Sequence, residues 1–459
     1  MLFRKLWRDL LQNKTQFFSI FLMSVLGMWI FVGFDAEASG AGHAADNYYK
    51  EYNLADLWVQ GDVFSSDDLK AIQDIKGVQN AERRFLMNGT AKLENNPYMY
   101  IGFLTTNQIS KLALMQGEGY VKDKDGIWVE EDFARANRLE IGDTFTVKLN
   151  NQEIESVIRG YVESPEYVYY LSDTDMIYPD YSKYGFAFLS DVQYPDQKNI
   201  LYNQILVDVQ DDADVQLIKD EIGEVLDRDD IVVTDRKQNT SYFTFHSEVK
   251  QHKAMGILFS VIFLLIALLG IVTTMARVTA NQRTQIGTLK ALGFSKHVIT
   301  MHYISYGFVI SLAGCIIGAW AGYSTFPPLI LGMFDGVYKV PDLYGTLTVS
   351  SVFAILAAVV ISTFVSFLAC RKELADMPAV TLKPAAPKKV KHTALEKSGF
   401  WLRLNFSTQW NVRDIMRNKI RSIMGIVGVT GCAMLMLCAF GCRDAINGMV
   451  DKMYGELLT

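Results

Sequence analysis

Cysteine is absent from the whole stretch between Asp35 and Lys250. The five cysteines of this 459-residue sequence, Cys315, Cys370, Cys432, Cys438 and Cys442, all lie later in the chain. The stretch therefore has no disulfide framework, and no Cys/His spacing typical of a zinc site occurs anywhere. The six histidines are scattered, and His246 and His252 read as ordinary surface residues. A Gly-x-x-x-x-Gly-Lys-Ser/Thr loop is also missing, so no nucleotide-binding element of that kind is encoded.

Charge is missing from five apolar blocks: Phe17–Phe34, Gly256–Ala276, Tyr303–Tyr323, Val349–Ala369 and Ile423–Phe440. About 20 helical residues cross a hydrocarbon core, and backbone groups in lipid must bond within their own segment, so each block is predicted to be a membrane helix. Ion pathways and proton relays mark themselves by ionisable residues at membrane depth. Their absence argues against a channel or a proton-coupled carrier.

The net charge of −6 conceals a segregation. Residues 35–250 hold 40 acidic and 20 basic side chains, against 10 acidic and 24 basic in the rest. Arg4, Lys5, Arg8 and Lys14 precede the first block, and Arg277, Arg283, Lys290 and Lys296 separate the second from the third. The stretch from Arg371 to Arg421 is also basic. The excess of Lys and Arg on one side places these segments in the cytoplasm and residues 35–250 and 324–348 outside. The N-terminus is expected on the cytoplasmic side. Residues 1–16 form an amphipathic helix with Phe3, Leu6, Trp7, Leu10 and Leu11 on one side, suited to the membrane interface and its lipid. A signal-peptide reading of the start is weaker, because the apolar block is long for one.

Residues 8–14 (Arg-Asp-Leu-Leu-Gln-Asn-Lys) and 413–419 (Arg-Asp-Ile-Met-Arg-Asn-Lys) agree at four of seven positions, and an apolar block follows each. This reads as the start of an internal repeat. The block at 423–440 would copy the first span, and residues 441–459 would open a second outside region of a longer, duplicated protein. The linker at 383–398, with Pro384, Pro387 and several lysines, joins the halves through the cytoplasm.

The predicted fold is an α-helical membrane bundle of about five spans plus an extracytoplasmic α+β domain. Val63–Leu93 reads as strand, helix, strand, with an N-cap signal at Ser66-Asp67-Asp68 and a stop at Gly77. Residues 203–235 repeat that grammar: strand Gln204–Val209, helix Asp214–Leu226, strand Ile231–Val233. The intervening residues 98–200 read as a β-rich insertion with turns at Leu149-Asn150-Asn151 and Gly142-Asp143. From about Ser241 a helix should run unbroken into the second span as a stalk. Carboxylates such as Asp67-Asp68, Glu130-Glu131-Asp132, Asp211-Asp212 and Asp229-Asp230 sit mostly at predicted helix starts and turns, which argues for capping rather than catalysis. Gly314, Gly318 and Gly322 give the third span one smooth helix-packing face.

The most specific stretch is Arg283-x-x-Ile286-Gly287-x-Leu289-Lys290-Ala291-Leu292-Gly293. On sequence physics alone it is a short segment whose apolar knuckle needs either membrane or a partner. It resembles the cytoplasmic signature of the FtsX-like permease family, which includes MacB-type and lipoprotein-release-type ABC transporter subunits. Cys370-Arg371-Lys372-Glu373 with Pro378-Ala379 and Leu382-Lys383-Pro384 is similar to the family's ending after the fourth span. Gly117-Glu118-Gly119 and Ile127–Ala134 leading to Ile141-Gly142-Asp143 look like its outside domain.

That resemblance implies that 277–301 holds a coupling helix docking on a separate ATPase chain, which binds ATP-Mg. The permease itself would be non-enzymatic and bind no cofactor. It would act with a second permease copy or half, by mechanotransmission, in efflux, in lipid or lipoprotein handling, or in antimicrobial-peptide resistance. An outside peptide, lipid or protein would be its further partner, and nucleic acid would not. Two rivals use the same sequence: a mechanotransmitter that controls a cell-wall hydrolase or sensor kinase without transport, and a membrane-anchored ectoenzyme.

Overall fold

The computed structural model describes residues 2–122, 124–149, 152–170, 179–196, 200–334, 336–377, 401, 405–417 and 419–456. The Pro378-Ala379 and Leu382-Lys383-Pro384 pieces and the 383–398 linker lie outside the described residues. The helices are α1 (Leu2–Gln12), α2 (Lys14–Glu51), α3 (Ser66–Gln73), α4 (Glu131–Ala136), α5 (Val215–Leu226), α6 (Thr240–Asn281), α7 (Arg283–Ala291), α8 (Lys296–Phe334) and α9 (Val349–Ala375), followed by Phe406–Arg417 and Lys419–Glu456. The strands are β1 (Leu57–Gln60), β2 (Val78–Ala91), β3 (Tyr98–Leu104), β4 (Ala113–Gly117), β5 (Ile127–Glu130), β6 (Thr144–Leu149), β7 (Gln152–Glu163), β8 (Tyr184–Ser190), β9 (Gln204–Val209) and β10 (Val232–Asp235). Two units form: residues 1–37, 252–327 and 346–459, and residues 38–251 with 328–345.

In the first unit, four helices are long and apolar enough to cross a membrane among the described residues: α2, α6, α8 and α9. The fifth apolar block is helical too, inside Lys419–Glu456. Leu6, Phe17, Ile20, Met275, Tyr303 and Tyr306 share a buried cluster at one end of this unit. Asp35, near the other end, accepts hydrogen bonds from the hydroxyls of Ser351 (2.7 Å), Ser350 and Thr348. Thr348 is itself the N-cap of α9. Buried Glu37 pairs with His252 Nδ1 at 2.9 Å. His252 is therefore not the surface residue expected, because α6 carries it onto the Glu37 side of α2.

Among the described residues, the second unit holds one ten-stranded sheet in the order β10-β1-β9-β2-β3-β8-β5-β7-β4, with β6 bridging β2 and β7. Its first four strands are all antiparallel neighbours. α3 links β1 to β2 and α5 links β9 to β10, so the pattern is a split β-α-β pair. Leu57, Val59, Ile205 and Val207 pack beneath Ile72, Ile218 and Ile222 of the two helices. α3 starts in a capping box: Asp68 N–H donates to Ser65 Oγ at 3.1 Å, and Ser65 N–H donates to Asp68 at 2.8 Å. It is followed by Gly77 at φ +100°, a left-handed conformation that favours glycine. The N-cap is thus Ser65, one residue before the expected signal. The first strand lies at 57–60 rather than beyond Val63, because Phe64 turns into the helix-side core instead of extending an edge.

The insertion between β2 and β9 closes on itself. β2 pairs with β3, β3 with β8, β8 with β5, β5 with β7, β7 with β6, and β6 returns to the end of β2 at Thr90↔Lys148 and Ala91↔Val147. This six-stranded ring encloses Ile101, Phe103, Val129, Phe145, Val147 and Ile158. Closure removes edges that would otherwise pair with other chains. Residues 328–345 join the same unit. Phe334 and Tyr338 pack against Phe245 of α6 and Trp58 of β1, and Lys339 N–H donates to the Val168 carbonyl at 2.7 Å.

Candidate functional site

α7 begins after a break at Gln282 and ends before Gly293, whose φ of +90° turns the chain toward α8. Its residues divide by environment. Ile286 is fully buried, Gly287 is buried and Leu289 is half-buried, against the cluster that holds Met275, Val278, Ile299 and Tyr303. Arg283 pairs with Asp376 at 3.3 Å. Lys290 Nζ donates to the carbonyls of Leu374 (2.9 Å) and Asp376 (2.5 Å). The last carbonyls of a helix have no intrahelical partner, so Lys290 satisfies the end of α9. Burial, with Lys296 nearby, holds the Lys290 amine below the usual lysine range.

What α7 offers outward follows directly. Ala291 and Gly293 are exposed, and Leu292 is 71% exposed, with Phe294 and Val298 also open. A helix fixed on one side by Ile286 and by two basic residues thus presents a short apolar point on the other.

A second device lies beneath it, and sequence reasoning missed it. Asp9 of α1 is 2% exposed. Its carboxylate accepts from Lys5 Nζ (3.0 Å), Gln282 Nε2 (2.9 Å) and the Tyr306 hydroxyl (2.9 Å). Tyr303 OH donates to Gln282 Oε1 at 2.7 Å. Burial pushes the Asp9 carboxyl upward, but the hydrogen bonds from Gln282, Lys5 and Tyr306 outweigh it and hold it below the usual range. The signal in the sequence is weak: helical spacing puts Asp9 beside Leu6 at the margin of the apolar face, not within it.

The glycine face of α8 lies on α2. A Cβ at Gly318 would come 2.4 Å from the Val25 carbonyl oxygen, one at Gly322 2.4 Å from that of Trp29, and one at Gly314 2.8 Å from Ser24 Cβ. Only glycine permits this approach.

In the second unit, Glu130 and Glu163 are both buried at the edge of the barrel, with Lys339 contacting Asp132 beside them. Glu130 caps α4 by accepting from Phe133 N–H at 2.8 Å. Elsewhere Arg84 and Glu166, both buried, pair at 2.6 Å, and Glu166 also accepts from Trp58 Nε1.

The family model for the FtsX-like permease C-terminal domain matches residues 257–374, from the start of the second apolar block through α7 to the end of α9. The match covers this segment alone. The chain is also similar to the periplasmic region of MacB from Actinobacillus actinomycetemcomitans, at 12% identity over 44% of this chain and 95% of that one, with a TM-score of 0.30. A second likeness is to the extracellular domain of the noncanonic ABC-type transporter YknZ from Gram-positive bacteria, at 11% identity over 40% of this chain and 100% of that one, also with a TM-score of 0.30. Among curated protein sequences none matches. Residues 257–374 are thus similar to the C-terminal domain of FtsX-like permeases, in a chain that carries a sheet-rich domain between its first two long apolar helices.

Proposed function

We propose that this chain is the transmembrane permease subunit of an ABC transporter in a bacterial cytoplasmic membrane, and that it couples a separate ATP-Mg-hydrolysing subunit to movement of the domain of residues 38–251. The observation that carries this reading is the exposed point at Leu292 and Phe294. It is held rigidly from behind by Ile286 and by the Lys290 and Arg283 contacts to the end of α9. An apolar residue open to water beside basic side chains fits a protein groove better than bulk solvent. α2 and α6 are single helices of 38 and 42 residues, so a tilt imposed at the α6–α7 break has an unbroken path along α6. A second permease copy or half would complete the assembly. The cargo would be an outside peptide or lipid, handled without a charged path through the spans.

The test is Leu292→Asp, with capture of the ATPase chain from membranes as the readout. Association should fall by about ten-fold or more, as for a central apolar anchor, while thermal unfolding stays near wild type because the side chain is exposed. Full association in the variant would sink the docking role.

A further inference from the structure

A polar cavity of about 570 Å³ opens in the second unit, where the end of α2, the start of α6 and the turn after β9 converge. Four carboxylates line it, Asp46, Asp56, Asp208 and Asp211, against two cations, Lys50 and Arg236, a formal balance of −4 + 2 = −2. Arg236 is already engaged: it pairs with Asp56 at 3.2 Å and donates to the carbonyls of Ala55 and Leu54. Asp208, 8% exposed, accepts an amide hydrogen bond from Asn53 Nδ2 at 3.2 Å. Burial and the neighbouring Asp56 carboxylate raise its carboxyl above the usual range, despite the Asn53 bond.

The decisive feature is Tyr49. It is 4% exposed and lines the cavity, yet its hydroxyl has no hydrogen-bond partner among the described residues. A buried hydroxyl without a partner is costly unless something fills the site. Its ring lies 5.3 Å from that of Tyr242, so two aromatic rings lie on the cavity wall. Acidic groups, an unpaired hydroxyl acceptor and aromatic rings together suit a positively charged nitrogen on an organic stem. A bare metal ion suits it less: among the described residues no group of three His, Cys, Asp or Glu side chains is placed to hold one.

We infer that this cavity binds an alkylammonium or guanidinium group, with Asp208 and Asp46 taking the charge, Tyr49 OH accepting an N–H and the adjoining Tyr49 and Tyr242 rings lining one side of the stem. The site is independent of the ATPase-docking reading, since it needs neither ATP nor α7.

The experiment is calorimetric titration of the full chain in lipid nanodiscs with three titrants: arginine amide, spermidine and calcium chloride. At least one amine should bind. Tighter arginine amide assigns a basic side chain as the natural ligand, and tighter spermidine a polyamine. Asp208→Asn should weaken binding by about ten-fold, the order of a buried charged hydrogen bond. Tyr49→Phe keeps the ring and should weaken it by about three-fold or more. Asp229→Asn, at an exposed position outside the cavity, should leave it unchanged. The proposal is overturned if neither amine gives heat at millimolar concentration, if Tyr49→Phe and Asp208→Asn both bind as wild type, or if calcium binds and the amines do not compete.

Discussion

Glu163 sits at the end of β7 with one carboxylate oxygen buried and without a partner among the described residues, beside the buried Glu130. Burial, then the charges of Glu130 and Glu131, push its carboxyl well above the usual range. Glu130 is raised to about 7, mainly by burial, against the Phe133 N–H bond and the Lys339 charge. The sign follows from proton linkage. A carboxyl whose folded pKa exceeds its unfolded value binds more protons when folded. Its contribution to stability is therefore complete below about 4.5 and is lost as pH rises through about 7. Glu163→Gln keeps the shape and removes the repulsion. At pH 8 it should stabilise this domain by about 1 kcal/mol or more, and at pH 5 by almost nothing, on the scale of roughly 1.4 kcal/mol per pKa unit. Denaturant unfolding followed by tryptophan fluorescence at both pH values reads the difference. An equal shift at the two values would mean that packing, not ionisation, governs the pair.

At the scale of elements, α1 is pinned through one residue. Asp9→Ala would leave half-buried Lys5 and Gln282 and buried Tyr306 around an empty acceptor position. Removing one partner of a buried charged pair costs about 3–5 kcal/mol, so the purified variant should lose a large part of its thermal stability. Asp9→Asn, which keeps one acceptor, should lose less. Equal stability of Asp9→Ala and wild type would show that α1 does not depend on this cluster. The elements also differ in how far the sequence revealed them. β9 and α5 followed their predicted bounds closely, since alternation and helical spacing are local signals and Asp214 caps the helix. The barrel was legible only as β-rich. Its closure depends on the 14-residue β2 meeting β9, β3 and β6 along its length, and no local pattern specifies that. In the candidate site the motif spans α7 and the turn after it. It did not separate Ile286, which faces the core, from Leu292, which faces outward, because both are apolar and the helix is short. Lys339 beside Asp132 was illegible, since more than 200 residues of chain separate them.

For the whole molecule, charge decides which unit meets which compartment. The segment from Arg277 to His302 carries Arg277, Arg283, Lys290 and Lys296, whereas the 324–348 loop has a single basic residue, Lys339. Short loops rich in Lys and Arg stay in the cytoplasm, and acidic residues count for little, so this contrast carries more weight than the acidity of residues 35–250. The contrast is weakened near the second span by Lys250 and Lys253 on its outer flank. The basic N-terminus, with Arg4, Lys5, Arg8 and Lys14 before the first span, acts in the opposite sense to those two and matches the 277–302 loop. The expected topology therefore has α7 inside and the barrel outside. In a background with the five native cysteines replaced, a cysteine at Asp229, an exposed turn position, should react with a membrane-impermeant maleimide on intact cells. A cysteine at Ser295, exposed between α7 and α8, should react only after permeabilisation. Labelling of Ser295→Cys on intact cells would place α7 outside, beyond the reach of any ATP-driven partner, and the docking role of Leu292 would fall with it.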